Sequence, residues 1–93
     1  MSQQAPFAVP AGVAWTEDAD EWARPRVFVA PLPNGPATVL AHESALIWLA
    51  AVEEPGEVAQ VVAELTGHPV EEIRDDVDSL LDDLVVRGLL ERR

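Results

Sequence analysis

Apolar and polar positions are patterned differently in the two halves of the chain. The first half holds short β-favouring runs bounded by acidic or Pro/Gly turn residues, and the second repeats with the 3.6-residue period of a helix. Residues 13–16, Val-Ala-Trp-Thr, are β-favouring and end at the acidic group Glu17, Asp18, Asp20 and Glu21, which predicts a strand and then a solvated turn. Arg26-Val27-Phe28-Val29-Ala30 is the clearest strand, closed by Pro31-Leu32-Pro33-Asn34-Gly35-Pro36. In that connection Asn34-Gly35 is expected to supply the positive-φ pair of a tight hairpin. A third strand is predicted over Ala37, Thr38, Val39 and Leu40, and Pro36, which has no N–H, suits the entry to an edge strand.

From His42 onward the pattern is helical. Residues 44–52 are apolar almost all the way round, as befits a core helix, and Pro55-Gly56 stops it. Residues 57–65 place Val58, Val61, Val62 and Leu65 on one stripe and end at Gly67, a left-handed cap. Residues 69–87 put Val70, Ile73, Val77, Leu81 and Leu84 on one face and Glu71, Glu72, Asp75, Asp78, Ser79 and Asp82 on the other. Gly88 ends this helix, and Leu89-Leu90 return to the core. Residues 1–12, with Gln3, Gln4, Pro6, Pro10 and Gly12 and no sustained periodicity, read as a flexible arm that can be trimmed, leaving residues 13–93 as one domain. The expected fold class is α+β: a three-stranded antiparallel sheet followed by three helices, with the helices on one face of the sheet.

Composition narrows what such a domain does. Its 93 residues carry seventeen acids against six arginines and no lysine, a net charge of −11 on a chain that is 48% hydrophobic. The apolar fraction calls for a folded interior under an acidic surface, and that surface repels nucleic-acid phosphates and attracts basic peptides. The charge is uneven. Five acids against two arginines give −3 up to Ala50, and twelve against four give −8 after it, most of it on the last two helices. Without cysteine there are no disulfides, thiolate metal sites or thiol nucleophiles. The N-terminal stretch has no positive residue or long apolar run, so no signal peptide and no membrane span are predicted, and cytoplasmic residence is the expectation.

The chemistry of an enzyme is hard to assemble from these residues. Ser2, Ser44 and Ser79 lie in no nucleophile turn, and His42 and His68 have no partners at metal-ligand spacing, so both read as surface or capping histidines. Asp18-Ala19-Asp20-Glu21 lacks the glycine and closing glutamate of a calcium loop. No catalytic group, metal or cofactor is expected. The aspartates Asp75, Asp76, Asp78, Asp82 and Asp83 are explained by a solvated helix face. A helical wheel nevertheless sets Asp76, Leu80, Asp83 and Arg87 together on one flank of the apolar stripe, with Arg74, Asp78 and Val85 on the other. A mixed acidic and apolar flank suits the wall of a groove. Trp48 reads as core and Trp22 as the tryptophan nearest the surface.

Two segments carry a family resemblance. Residues 76–90, Asp-Val-Asp-Ser-Leu-Leu-Asp-Asp-Leu-Val-Val-Arg-Gly-Leu-Leu, and Val39-Leu40 followed by Ser44-Ala45-Leu46-Ile47-Trp48-Leu49 are similar to the PqqD-like family, the RiPP recognition elements that bind leader segments of ribosomally made precursor peptides. The resemblance runs from about Val13 to Leu90. It departs where Ala41-His42 replaces the Asn or Asp that often caps the first helix, leaving His42, Ser44 or water to cap it. Pro31, Pro33 and Pro36 are a second departure, next to the edge the family uses.

The resemblance implies a non-catalytic, winged-helix-like module whose third strand, at Ala37, Thr38, Val39 and Leu40, receives a leader antiparallel, with Asp76, Leu80, Asp83 and Arg87 as the helix wall. It implies two partners: the precursor, and a separate modifying enzyme such as a radical SAM protein, a leader protease or a cyclase. Acids on the wall favour a basic leader. The rival readings are a winged-helix nucleic-acid binder, against which stand seven acids and only Arg74 and Arg87 on the third helix, and a purely structural subunit of a maturation complex.

Overall fold

The computed structural model describes residues 4–93. Its elements are β1 (Phe7–Ala8), β2 (Val13–Ala19), β3 (Pro25–Pro31), β4 (Thr38–Ala41), α1 (Glu43–Glu53), α2 (Val58–Thr66), α3 (Val70–Val86) and β5 (Glu91–Arg92). Strands β2, β3 and β4 form an antiparallel sheet in that order, and three helices follow, the α+β arrangement expected. A second, two-stranded sheet joins β1 to β5.

The core lies between the main sheet and α1. Val27 and Val29 on β3 and Leu40 on β4 are buried against Ala45, Ile47, Trp48, Ala50 and Ala51 of α1. Trp48 is fully buried and meets the half-buried Trp15 of β2 edge to face, with ring centroids 5.8 Å apart and planes at 64°. Behind α1, Val58, Ala59 and Val62 of α2 and Val77, Leu81 and Leu84 of α3 complete the interior. The apolar strip of α3 read from its periodicity is therefore the buried one, with Val70 and Ile73 half-buried at its start. Leu65 is not on the buried strip of α2: it is 61% exposed, and Ala59, one position on from Val58, is buried in its place. Gly67 holds the left-handed cap at φ 77°.

The strands differ more from expectation. β2 runs on to Ala19, so Glu17 and Asp18 belong to the ladder, where Asp18 faces Arg26 and accepts two hydrogen bonds from its guanidinium at 2.9 Å. The turn proper is organised by Asp20. Its carboxylate accepts from the Arg24 and Trp22 backbone N–H groups and from Arg24 Nε, at 2.8–3.0 Å. Those bonds, the Arg24 backbone bond foremost, lower the Asp20 pKa from 3.8 to about 2. A carboxyl whose folded pKa lies below its unfolded value adds stability above the unfolded value and loses it as pH falls through about 4 towards 2. Asp20→Asn, which removes the charge and replaces the oxygen that accepts from Arg24 Nε by an amide N–H donor, is expected to lower the urea midpoint at pH 5 and to approach wild type as pH falls towards 2; an equal loss at both pH values would show that the charge plays no part.

The hairpin connection also corrects its prediction. Neither Asn34 nor Gly35 has positive φ; instead the Gly35 N–H donates to the Pro31 carbonyl at 3.0 Å. Glycine is needed here for space, since a Cβ would lie 2.0 Å from the Pro31 ring. Among the described residues no side chain caps α1. His42 occupies the N-cap at φ 56° without a side-chain capping bond, and its ring lies 3.6 Å from Asp20.

The flexible-arm reading fails at residues 7 and 8; residues 1–3 lie outside the described residues. Phe7 is 5% exposed, pairs with Arg92 in the β1–β5 ladder, and has the Arg92 guanidinium over its ring at 5.2 Å. No period announces a two-residue strand, and its partner lies 85 positions away. Phe7→Ala is expected to cost about 3 kcal/mol in urea denaturation, the scale of a buried phenylalanine; a loss below about 1 kcal/mol would return Phe7 to the arm.

Candidate functional site

The main sheet ends in two open edges of different character. β2 carries Glu17 and Asp18 on one, charges of the kind that discourage strand pairing. β4, Thr-Val-Leu-Ala, carries none on the other.

Hydrogen-bond phase fixes which backbone groups β4 leaves outward. Antiparallel pairs alternate between bonded and non-bonded. The His42 N–H donates to the Pro25 carbonyl at 3.0 Å, one register step beyond Arg26↔Ala41. The bonded positions on β4 are therefore Leu40, opposite Val27, and Thr38, opposite Val29. The N–H and C=O of Val39 and Ala41 point the other way, to the open edge. Side chains alternate in the same phase: Leu40 is buried and Thr38 half-buried on the helix side, while Val39, 55% exposed, stands on the far face beside Phe28.

α3 meets this edge at its C-terminal end. α1 is the helix packed on β3 and β4, and α3 packs chiefly on α2. From the C-cap of α3, Arg87 donates through one nitrogen to Thr38 Oγ1 at 2.5 Å, with a second nitrogen 3.4 Å from Asp83. Thr38, Asp83 and Arg87 are thus brought together across 49 positions of sequence. Beside them is a hollow of about 310 Å³ lined by Pro31, Pro36, Thr38, Arg87 and Leu89.

The other predicted site residues are placed as follows. Val39 and Leu40 lie on β4 as expected, whereas Ala37 is exposed just before the strand and Ala41 extends it instead, because the ladder continues to His42. Leu80 is half-buried and packed against the core. Asp76 is exposed and has no ion-pair partner among the described residues. The opposite flank of α3 is engaged elsewhere: Arg74 pairs with Glu57 at the start of α2. Pro31, Pro36 and Leu89 were missed as site residues. From the sequence Pro36 reads as the entry to an edge strand, Pro31 and Pro36 as a departure in the loop, and Leu89 as a core residue.

Among the described residues no group of three or more His, Asp or Glu side chains is placed to hold a metal ion, and no helix is long and apolar enough to cross a membrane. No family model, curated protein or solved structure matches the chain.

Proposed function

We propose that this protein is a non-catalytic module that binds an extended peptide, the leader segment of a ribosomally made precursor, by strand addition to β4, and presents the rest of the precursor to a separate modifying enzyme. The observation that carries the reading is the uncharged open edge of β4, with the backbone groups of Val39 and Ala41 outward. An added strand gains main-chain hydrogen bonds there, and alternate side chains fall on either side of the sheet. Those on the helix side meet Thr38, Leu40 and the Arg87 end of α3; those on the far side meet Val39 and Phe28.

Acidity suits a basic leader. The charge of −11 attracts it over a distance of about 8–10 Å at ordinary salt and raises the encounter rate, while the edge supplies the register. Holding the leader raises the effective concentration of the attached core at an enzyme that binds this module. Titration calorimetry with the leader of a precursor encoded beside this protein's gene is expected to give a Kd of about 1 μM or tighter, with amide exchange slowed at Val39 and Ala41. No heat with the full-length leader would overturn the proposal.

A further inference from the structure

We propose that the hollow beside Thr38 and Arg87 reads one carboxylate of the bound peptide, and that the peptide presents it in the order apolar residue, any residue, acidic residue from N- to C-terminus. This rests on strand addition to β4 and adds to it a rule of selection.

The order follows from register. An antiparallel strand beside β4 runs from Ala41 towards Thr38, so the residue opposite Leu40 precedes the residue opposite Thr38 by two. Both form non-bonded pairs with β4, because the outward backbone groups belong to Val39 and Ala41. Their side chains lie on the helix side, with Cβ atoms roughly 4.5–5.5 Å from those of their partners. Leu40 is buried and asks for an apolar neighbour. The side chain opposite Thr38 enters the hollow.

Arg87 decides what that side chain carries. Its guanidinium has five N–H donors; one meets Thr38, and another faces Asp83 at 3.4 Å, longer than an ordinary N–H···O bond. The remaining walls, Pro31, Pro36 and Leu89, have no side-chain acceptor. A side chain with an apolar stem and a terminal carboxylate packs its stem on the prolines and offers Arg87 the planar two-oxygen acceptor that guanidinium matches best. The negative end of the α3 dipole opposes an anion at this place, but a partial charge is outweighed by a two-pronged bond to a full cation. Basic residues elsewhere in the peptide still answer the acidic surface.

The test selects displayed random 12-residue peptides on the immobilised full chain, using wild type, Arg87→Glu and Arg87→Gln in parallel, and scores only peptides whose binding is lost on Val39→Pro. Wild type is expected to enrich apolar-x-Asp/Glu. Arg87→Glu is expected to enrich Lys or Arg at the acidic position with the apolar position kept, and to bind the wild-type consensus at least about 10-fold more weakly; Arg87→Gln is expected to lose the preference without reversing it. Val39-dependent peptides with no acidic preference, with the reverse order, or with the same preference on all three proteins would overturn this proposal and leave strand addition standing. Finding no Val39-dependent peptide would overturn strand addition, and this inference with it.

Discussion

Val39→Pro is expected to weaken leader binding about 10- to 100-fold while leaving the domain folded. The Val39 N–H points to the open edge and takes no part in the ladder to β3, so proline removes nothing that holds the sheet together. Proline is also tolerated on edge strands, where its ring faces solvent. In the complex the same change leaves a peptide carbonyl without its donor and sets the ring against the incoming backbone. An unmet acceptor at about 1–3 kcal/mol corresponds to the stated range. Val39→Ala keeps the N–H and is expected to bind within a few-fold of wild type. The readout is calorimetric affinity beside the urea midpoint: equal affinity of Val39→Pro and wild type would rule out pairing at this edge, and so would a loss as large in Val39→Ala.

Trp48→Ala is expected to remove about 3–5 kcal/mol of stability, the largest effect of any single truncation in this core. A chain of this size has roughly 5–14 kcal/mol in total, so the variant retains a minor part of its margin. The magnitude follows from position. Trp48 has no exposed surface, is the largest of the fully buried side chains, and spans from α1 to the Trp15 ring of β2. Its Nε1–H is buried without a hydrogen-bond partner among the described residues, so part of what the indole contributes by burial is offset by the desolvation of that donor. Trp48→Phe, which keeps an aromatic ring and deletes the donor, is therefore expected to cost less than half as much as alanine. Urea denaturation followed by far-ultraviolet circular dichroism measures both; an alanine variant within about 1 kcal/mol of wild type would show that the core is organised around other residues.

These two residues differ in how far they could be read from the chain. Trp48 sits in a run so apolar that burial on several sides was the natural expectation, and the buried residues of α3 follow directly from a 3.6-residue period. Val39 could be placed on a strand, and Pro36 pointed to an edge, but which of its neighbours faces outward depends on a hydrogen bond between His42 and Pro25, seventeen residues apart. The grouping of Asp83 with Arg87 is local, one helical turn, and was visible on a wheel. Their approach to Thr38 is not local. The wheel equally placed Asp76 and Leu80 on that flank, and the structure joins only the Arg87 end of it to the strand.

By itself the sequence determined the fold class, the three helices, the core of α1 and α3, the left-handed cap at Gly67 and the acidic surface, since each depends on contacts within a turn or on the sum of charges. The tertiary structure decided what depends on distant partners. Phe7 is core because Glu91–Arg92 returns to pair with its strand, Gly35 is required because the Pro31 ring lies against it, and the hollow at the edge of the sheet exists because α3 ends where β4 begins. Periodicity records which face of an element is apolar; it carries no record of which other element arrives there.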